Sequence, residues 1–542
     1  MARTRAETKL VAIAKRAILS LLRHAGYSLV KLSDVQETLN NADKRQDNPA
    51  SGGESGVTSA IEQLKKAVVG HDWAQTKAEI SRLIASPSAD APMLSSIGKR
   101  LFDHYFSLQD KTSRGASEVA HQALALFESA LRLSPYRFDD YRCTRTLLFY
   151  LGEKVRAYDV MTELMARQRE LAAVYGFTGL KRRFISSHVM TNIGVTTHLE
   201  IYLKAMDLGL IEKSELVLLM HEHLPANPCL LDYFSKRVRV VPHDETPPDL
   251  ALMEPFLVDD LHWGVPLSGS AIPFSRAAGE IRASWQRDER PPLLTIDPQH
   301  AERGAAKLLE LGMPANVWFV ALHVRESGKA DDVYRDVKIE TYGQAIQEIV
   351  DRGGWVVRLG DEAMTKLPHQ KNVIDYAHSP HRSDWMDIYL IAKSRFVIST
   401  GSGPGGVPYA FGVPNLLTNY MPIATIASTP ADMVLPKMVA SVRDGRVLSF
   451  AELLSAPVAD CYFQHEFDAL AIDPVDNTPE ELREAVIEMI NRLENHPQDS
   501  RQDTELLKRF WEISAASKTA TGTRLYSRVP LHFLRAHADQ LH

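Results

Sequence analysis

Hydrophobic positions along the chain change their period near Gly179. From about residue 61 to 175 they recur at three- and four-residue intervals, as in Ala123-Leu124-Ala125-Leu126-Phe127 and on to Leu133, where Ser134-Pro135 stops the run. That spacing predicts amphipathic helices, and a proline just past the last periodic residue marks a helix end. After Gly179, short apolar runs alternate with helical stretches. Residues 184–189, 216–220 and 238–241 read as strands, with helices over 196–208 and 228–234 between them. A second series is clearer, with strands at 317–324, 355–359, 396–399 and 415–417. Its helices fall at 340–352 and 384–392, and a third begins near Pro404. Continuous apolar runs separated by helices predict parallel sheets covered on both faces. The stretch 242–292 reads as irregular, with Trp263 and Trp285 as packing anchors. Beyond residue 450 the pattern returns to helices, with Thr478 as N-cap ahead of Pro479, Glu480 and Glu481.

The expected fold class is therefore α/β, two Rossmann-like domains preceded by an all-α domain. Composition shifts place the boundaries. Residues 1–32 form a basic amphipathic helix, with Arg3, Arg5, Lys9, Lys15, Arg16, Arg23 and Lys31 against Glu7. Residues 33–60, polar and rich in Gly and Ser, form a flexible linker. A helical domain covers 61–178, a first Rossmann-like lobe 179–300, a second 301–450, and a C-terminal helical region 451–542. The basic helix suits either contact with an anionic membrane surface or docking on the neighbouring helices. Within the helical domain, 123–135, 141–150 and 157–171 resemble one tetratricopeptide unit, with Ala130, Pro135, Gly152 and Ala157 at the family's places for small residues, the stop and the turn. A plain helical bundle fits the same pattern.

Composition narrows the function classes. At 542 residues the chain should hold about three domains. Hydrophobic residues make up 45% and charged ones 24%, which excludes general disorder. The formal net charge of −6 argues against a dedicated nucleic-acid binder, which needs a basic surplus for phosphates. Cys143, Cys229 and Cys461 form no C-x-x-C pair, so neither a disulfide framework nor a cysteine zinc site is expected, and a reducing cytoplasm fits. No uncharged apolar run approaches the ~18 residues of a membrane span. The apolar stretch 10–22 is interrupted by Lys15 and Arg16 and lacks a cleavage site after it.

Ligands of doubly wound sheets bind at the carboxyl ends of the strands, and three segments of the second lobe converge there. His323 and Arg325 close its first strand two residues apart, on one side of an extended chain. Arg325 offers a fork for phosphate oxygens, or pairs with a local carboxylate. At the next strand end, Arg358 adds a cation or braces the loop, Gly360 allows close backbone approach, and Asp361 binds a ribose or serves a turn. The third segment, Ser399-Thr400-Gly401-Ser402-Gly403-Pro404-Gly405-Gly406, joins strand to helix. Its amides make an anion site for a pyrophosphate, or its glycines serve a tight turn with close packing. Thr400, Gly401, Ser402, Gly403 and Gly406 are its candidate contacts. No acidic residue follows within ~20 positions to hold an NAD ribose, and no Lys follows to make a P-loop. The loop at Tyr334, Arg335, Asp336, Glu340 and Tyr342 either closes over a donor or caps its helix. A catalytic base is sought in the first lobe, where His188 ends the first strand and His198 lies on the following helix; lone histidines also serve packing or capping. His221-Glu222-His223 lacks the spacing of a zinc site, no D-x-D pair occurs, and Ser402 lacks a nucleophile elbow, so neither metal nor covalent serine chemistry is expected.

The order FVALHVRESG, YRD, IETY, GGWVVRLGD and VIDYAHSPHRSDWMDIYLIAKSRFVISTGSGPGGVPYAFGVPNLLTN resembles a bacterial glycosyltransferase family that has a fucosyltransferase-like H-x-R segment and travels with surface-polysaccharide genes. The resemblance covers about 181–419 and 476–488. It implies a GT-B-like, metal-independent enzyme with its site in the cleft between two lobes and Arg325 on the nucleotide diphosphate. The fucosyltransferase motif continues x-G-D, whereas this chain has Glu326-Ser327-Gly328-Lys329. Thr400 to Pro404 is similar to the D-T-G-P-x-H loop of bacterial heptosyltransferases, without its histidine.

The expected function is thus transfer of a sugar from a nucleotide-activated donor to a glycan, lipid-linked or protein acceptor, in the cytoplasm or at the inner face of its membrane through residues 1–32. The nucleotide sugar is a substrate, and no cofactor is expected. A non-catalytic helical-repeat scaffold with a degenerate sugar-nucleotide domain, and a dinucleotide-dependent oxidoreductase, are the competing classes.

Overall fold

The computed structural model of the chain describes residues 72–542 apart from 109–110, 112, 175–181, 221–224, 243–263, 268–269, 329, 427, 496–498 and 523–524. The basic helix expected at 1–32 and the linker expected at 33–60 lie outside the described residues, as do His221, Glu222, His223, Trp263 and Lys329.

Five helices come first: α1 (Trp73–Ala85), α2 (Ala91–Ser107), α3 (Arg114–Leu133), α4 (Phe138–Tyr150) and α5 (Lys154–Val174). Side-chain caps start three of them. Asp72 accepts from the Gln75 N–H at 3.0 Å, Asp90 from Met93 at 2.8 Å and Ser113 from Ala116 at 3.2 Å. Small residues set the spacing, since Ala116, Ala120, Ala123 and Ala130 bury one face of α3 and Ala157 does the same on α5. Gly152, with φ +77°, makes the turn between α4 and α5.

The first parallel sheet has the order β1 (Arg182–Ser186), β2 (Glu215–Leu219), β3 (Arg239–Val241). Here β1 ends earlier than its apolar run implies, and residues 187–190, including His188, form a 3-10 turn. The helices between these strands are the four-residue α6 (Ile193–Thr196), α7 (His198–Asp207) and α8 (Pro228–Ser235). The stretch expected to be irregular instead carries a hairpin, β4 (Gly264–Leu267) and β5 (Ser270–Pro273), and a 14-residue helix, α9 (Phe274–Arg287). Buried Ala277, Ala278 and Ile281 pack it on Ile201 and Ala205 of α7. Its apolar stripe is short and rests on alanines, which hid it beside so many prolines. A further helix, α10 (Pro298–Glu310), leads into the second sheet.

That sheet has six parallel strands in the order β11-β10-β9-β6-β7-β8. They are β6 (Phe319–His323), β7 (Trp355–Arg358), β8 (Val373–Asp375), β9 (Val397–Ser399), β10 (Asn415–Tyr420) and β11 (Met433–Pro436). Its helices are α11 (Gly343–Asp351), α12 (Asp384–Lys393) and the four-residue α13 (Pro408–Phe411). Beyond it, β12 (Met438–Ser441) pairs antiparallel with β13 (Ile472–Val475), a strand inside the region expected to be all helix. The helices α14 (Phe450–Leu453), α15 (Gln464–Leu470), α16 (Pro479–Leu493), α17 (Arg501–Ala516) and α18 (Leu531–Ala536) bury Phe450, Phe467, Val486, Phe510 and Leu534 in the same core as β6 and β10. The C-terminal region therefore completes the second lobe. On the sheet's other face, one continuous core joins Ile185 and Leu218 to Ala321, Val357 and Val397, so the two sheets share apolar packing.

The helical domain touches both lobes. Thr162 Oγ1 on α5 accepts from the Ala271 N–H of β5 at 3.1 Å. At the other end Lys154, nearly fully buried, pairs with Glu466 at 2.5 Å and donates to the Asp460 carbonyl. Beside it the Tyr150 ring stacks on Phe463 with centroids 4.1 Å apart.

Candidate functional site

Strands β6 and β9 are neighbours, with His323 opposite Ser399, so the loops leaving their carboxyl ends meet. Residues 400–406 turn tightly, with the Ser402 N–H donating to the Thr400 carbonyl at 2.6 Å. Side chains pin the loop from beneath. The Arg325 N–H donates to Thr400 Oγ1 at 3.0 Å, Asn415 Nδ2 donates to the Gly405 carbonyl at 2.9 Å, and Ser399 Oγ donates to Asn415 Oδ1 at 3.0 Å. His323 Nδ1 and Ser402 Oγ lie 2.9 Å apart. Burial above all, aided by the nearby Arg358, holds the His323 ring down to about 4, so it is neutral at pH 7.

Two of the loop glycines are dictated by the first lobe. A Cβ at Gly403 would sit 2.8 Å from Ile193 Cγ2, and one at Gly406 would sit 2.5 Å from Thr197 Oγ1. Gly401 is different, because its nearest neighbour would be Arg335 Cδ at an ordinary 3.5 Å. The N–H groups of Gly401 and Gly403 have no hydrogen-bond partner among the described residues. The helical turns after the loop are short, so the amides rather than a helix end form this part of the wall.

The loop faces a cavity of ≈ 1140 Å³. Asn192, Gly194, Thr197, His198, Phe274 and Arg282 line it from the first lobe; Arg325, Asp332, Arg335, Tyr409, Tyr420 and Tyr462 line it from the second. Leu108, Lys111 and Tyr150 of the helical domain complete the wall. Two charge clusters open on it. In one, Arg325 Nε meets Asp336 at 2.9 Å and its Nη2 meets Asp332 at 3.0 Å, while Arg335 Nη2 reaches the same Asp332 at 2.7 Å and its Nη1 donates to the Gly401 carbonyl at 3.2 Å. In the other, buried Glu200 on α7 holds Arg282 of α9 at 2.9 Å and also pairs with Lys204. Burial raises the Glu200 carboxyl, but the two cations outweigh it and its pKa is lowered. Lys111, Lys204, Arg282, Arg325 and Arg335 stand against Glu200, Asp332, Asp336 and the buried Asp432, which lies within electrostatic reach of Arg282 and Lys204, a surplus of one positive charge among these described groups. Such a surplus favours an anionic ligand.

No family model matches the chain, and no curated protein matches it. Solved structures do. A family 9 glycosyl transferase from Veillonella parvula is similar over 48% of this chain and 87% of its own, at 13% identity and a TM-score of 0.32. The ADP-heptose lipopolysaccharide heptosyltransferase II of E. coli is similar over 58% of this chain and 98% of its own, at 12% identity and a TM-score of 0.32. An iron-containing dodecameric glycosyltransferase of enterotoxigenic E. coli is similar over 58% and 77%, at 14% identity and a TM-score of 0.32. Likenesses this low leave function to be argued from the site itself.

Of the residues singled out by sequence, Arg325, Thr400, Gly401, Ser402, Gly403 and Gly406 lie on the cavity wall, and His323 sits directly behind it. Arg358, Gly360 and Asp361 do not line it. Arg358 is fully buried between Asp375 and Glu326, each at 3.3 Å, and braces the strand ends. Gly360 has φ +147° with Met364 Sδ where a Cβ would fall, and Asp361 Oδ1 accepts from the Ala363 N–H at 2.9 Å, a turn role. Tyr342 is buried with its hydroxyl on Thr418 at 2.8 Å, while Arg335 of the same segment reaches the wall. The His188 side chain lies outside the described ones; His198 lines the cavity with its ring stacked on Phe274, centroids 3.6 Å apart. Sequence reasoning missed Arg282 and Asp332. Arg282 lay in the stretch taken as irregular, and only tertiary pairing with Glu200 gives it a role.

Among the described residues no group of three or more His, Cys, Asp or Glu is placed to hold a metal ion. No described helix is long and apolar enough to cross a membrane. The three cysteines are free, and burial pushes the Cys143 and Cys229 thiols up to about 11 and that of Cys461 to about 12.

Proposed function

We propose that the protein is a GT-B-like glycosyltransferase that moves a sugar from a nucleotide-activated donor to a glycan, lipid-linked or protein acceptor. The observation that carries this reading is the 400–406 loop, with the Gly401 and Gly403 amides and the Arg325–Arg335 cluster on one wall of a positively biased cavity, and a first-lobe wall opposite. Amides in a turn and arginine forks suit a diphosphate. Arg335 and Arg325 bind the diphosphate and stabilise the charge it gains as the glycosidic C–O bond breaks. The acceptor hydroxyl oxygen forms the new bond to the anomeric carbon and gives its proton to a base, for which His198 is the candidate on the wall. The nucleoside diphosphate leaves. Neutral His323 orients Ser402 rather than the reacting atoms. Surface-polysaccharide or glycoconjugate synthesis, and membrane contact through residues 1–32, belong to the same proposal.

A thermal-shift panel of ADP, UDP, GDP, CMP and NAD tests it. Stabilisation by a nucleoside diphosphate supports the reading, and a response to NAD alone moves it to a dinucleotide-dependent enzyme.

A further inference from the structure

Among the described residues that line the cavity, Asp332 is the sole carboxylate. It stands on the 3-10 turn at 330–335, which follows β6, and its side chain is 26% exposed. Both neighbouring arginines take the same oxygen. Oδ2 lies 3.0 Å from Arg325 Nη2 and 2.7 Å from Arg335 Nη2, while Oδ1 has no hydrogen-bond partner among the described residues. Nor is Oδ1 sealed in the interior. An ionised carboxylate oxygen is a strong acceptor with room for more than one donor.

The turn holds this carboxylate in a fixed place. Tyr334 donates its hydroxyl to the Tyr462 carbonyl at 2.9 Å, Lys437 Nζ donates to the Tyr334 carbonyl at 2.8 Å, and the Val337 N–H donates to the Arg325 carbonyl at 3.0 Å. Arg335 ties the turn to the 400–406 loop. One guanidinium reaches Asp332 with Nη2 and the Gly401 carbonyl with Nη1 at 3.2 Å, so a single planar group separates the carboxylate from the loop backbone. The group joined to a diphosphate on that loop is the sugar. Its hydroxyls need acceptors, which arginines and backbone amides cannot supply. The hydroxyls of the loop are already engaged, Thr400 Oγ1 by the Arg325 N–H and Ser402 Oγ by His323.

We propose that Asp332 is a specificity-determining residue whose Oδ1 accepts a hydrogen bond from a hydroxyl of the transferred sugar. The donor is then a nucleoside diphosphate sugar that keeps a free hydroxyl close to its anomeric carbon. This inference rests on the glycosyltransferase reading and deepens it.

The test is calorimetry on the full chain, with free ADP, UDP and GDP set against ADP-glucose, UDP-glucose, UDP-galactose, GDP-mannose and GDP-fucose. In the wild type at least one conjugate should bind about tenfold more tightly than its own free diphosphate, as expected for one hydrogen bond to a charged group. Asp332→Ala should remove that gain while the free diphosphate binds equally well or more tightly, because a negative charge beside it is gone. Asp332→Asn, which keeps the side-chain shape and one acceptor oxygen, should retain part of the gain. A purely structural Asp332 would instead weaken diphosphate and conjugate by the same factor, and that result overturns the proposal. A folded Asp332→Ala that keeps the full gain overturns it as well. Diphosphate binding with no gain from any sugar removes this proposal alone, whereas a wild type that binds neither diphosphates nor conjugates removes the glycosyltransferase reading with it.

Discussion

Gly406 of the second lobe meets Thr197 of the first so closely that a Cβ on the glycine would lie 2.5 Å from Thr197 Oγ1. This contact, with Gly403 against Ile193, sets the loop and the first-lobe turn edge to edge at one margin of the cavity. Gly406→Ala should therefore cost stability by overpacking, about 1–3 kcal/mol, measured by denaturant unfolding. Thr197 Oγ1 also donates to the Gly194 carbonyl at 2.6 Å, so adding Thr197→Ser, which removes the Cγ2 methyl but keeps the hydroxyl, should recover little.

His323 gives the fold a pH dependence of defined sign. Its ring is held at about 4, against an ordinary 6.5. Between those values the unfolded chain takes up a proton that the folded one refuses, so this contribution is complete above pH 6.5 and is lost as pH falls towards 4. The shift corresponds to about 3 kcal/mol. His323→Asn should flatten the fall in thermal midpoint across that window while changing little above it. An unchanged slope would mean that His323 is solvated in the native protein.

Asp387 works in the opposite direction. Burial, with Asp384 nearby, pushes its carboxyl up to about 7 from 3.8, so ionising it at higher pH costs the folded state. Asp387→Asn should raise the thermal midpoint more at pH 8 than at pH 5, by melts at both values.

Lys154 fastens the helical domain to the second lobe through Glu466 and the Asp460 carbonyl. Lys154→Met leaves Glu466 without its buried cation and should cost about 2–4 kcal/mol. Limited proteolysis should then degrade the variant faster than the wild type. Because Tyr150 and Phe463 beside this latch line the cavity, nucleotide affinity should fall as well.

Several elements were legible in the sequence because their signals are local. Four of the six strands of the second sheet, β6, β7, β9 and β10, are continuous apolar runs, and the 400–406 loop advertises itself by composition; the short β8 and β11 escape that reading. The N-cap at Thr478 was equally plain, and its capping box with Glu481 is present. What escaped depends on partners far along the chain. Arg358 reads as a site cation until Asp375 and Glu326 close on it. Arg282 reads as nothing until Glu200 does the same. The role of a buried charge is set by its counter-charges, and their spacing in sequence carries no period. Gly403 and Gly406 showed a related limit, since motif spacing could not tell glycines that admit a ligand from glycines that admit a neighbouring helix.

The central claim is that the 400–406 loop holds a nucleoside diphosphate, and Gly401 offers the most direct measurement. A Cβ there meets only ordinary contacts, Arg335 Cδ at 3.5 Å and Tyr420 Cε2 at 3.9 Å, so Gly401→Leu, with its thermal midpoint checked against the wild type, is the variant that fills the loop's open side. Calorimetric titration with ADP, UDP, GDP, CMP and NAD should show one nucleoside diphosphate binding to the wild type and at least about tenfold weaker binding to Gly401→Leu, a loss of ~1.4 kcal/mol or more. Binding of none of these nucleotides to the wild type, or equal binding by the folded variant, would contradict the account.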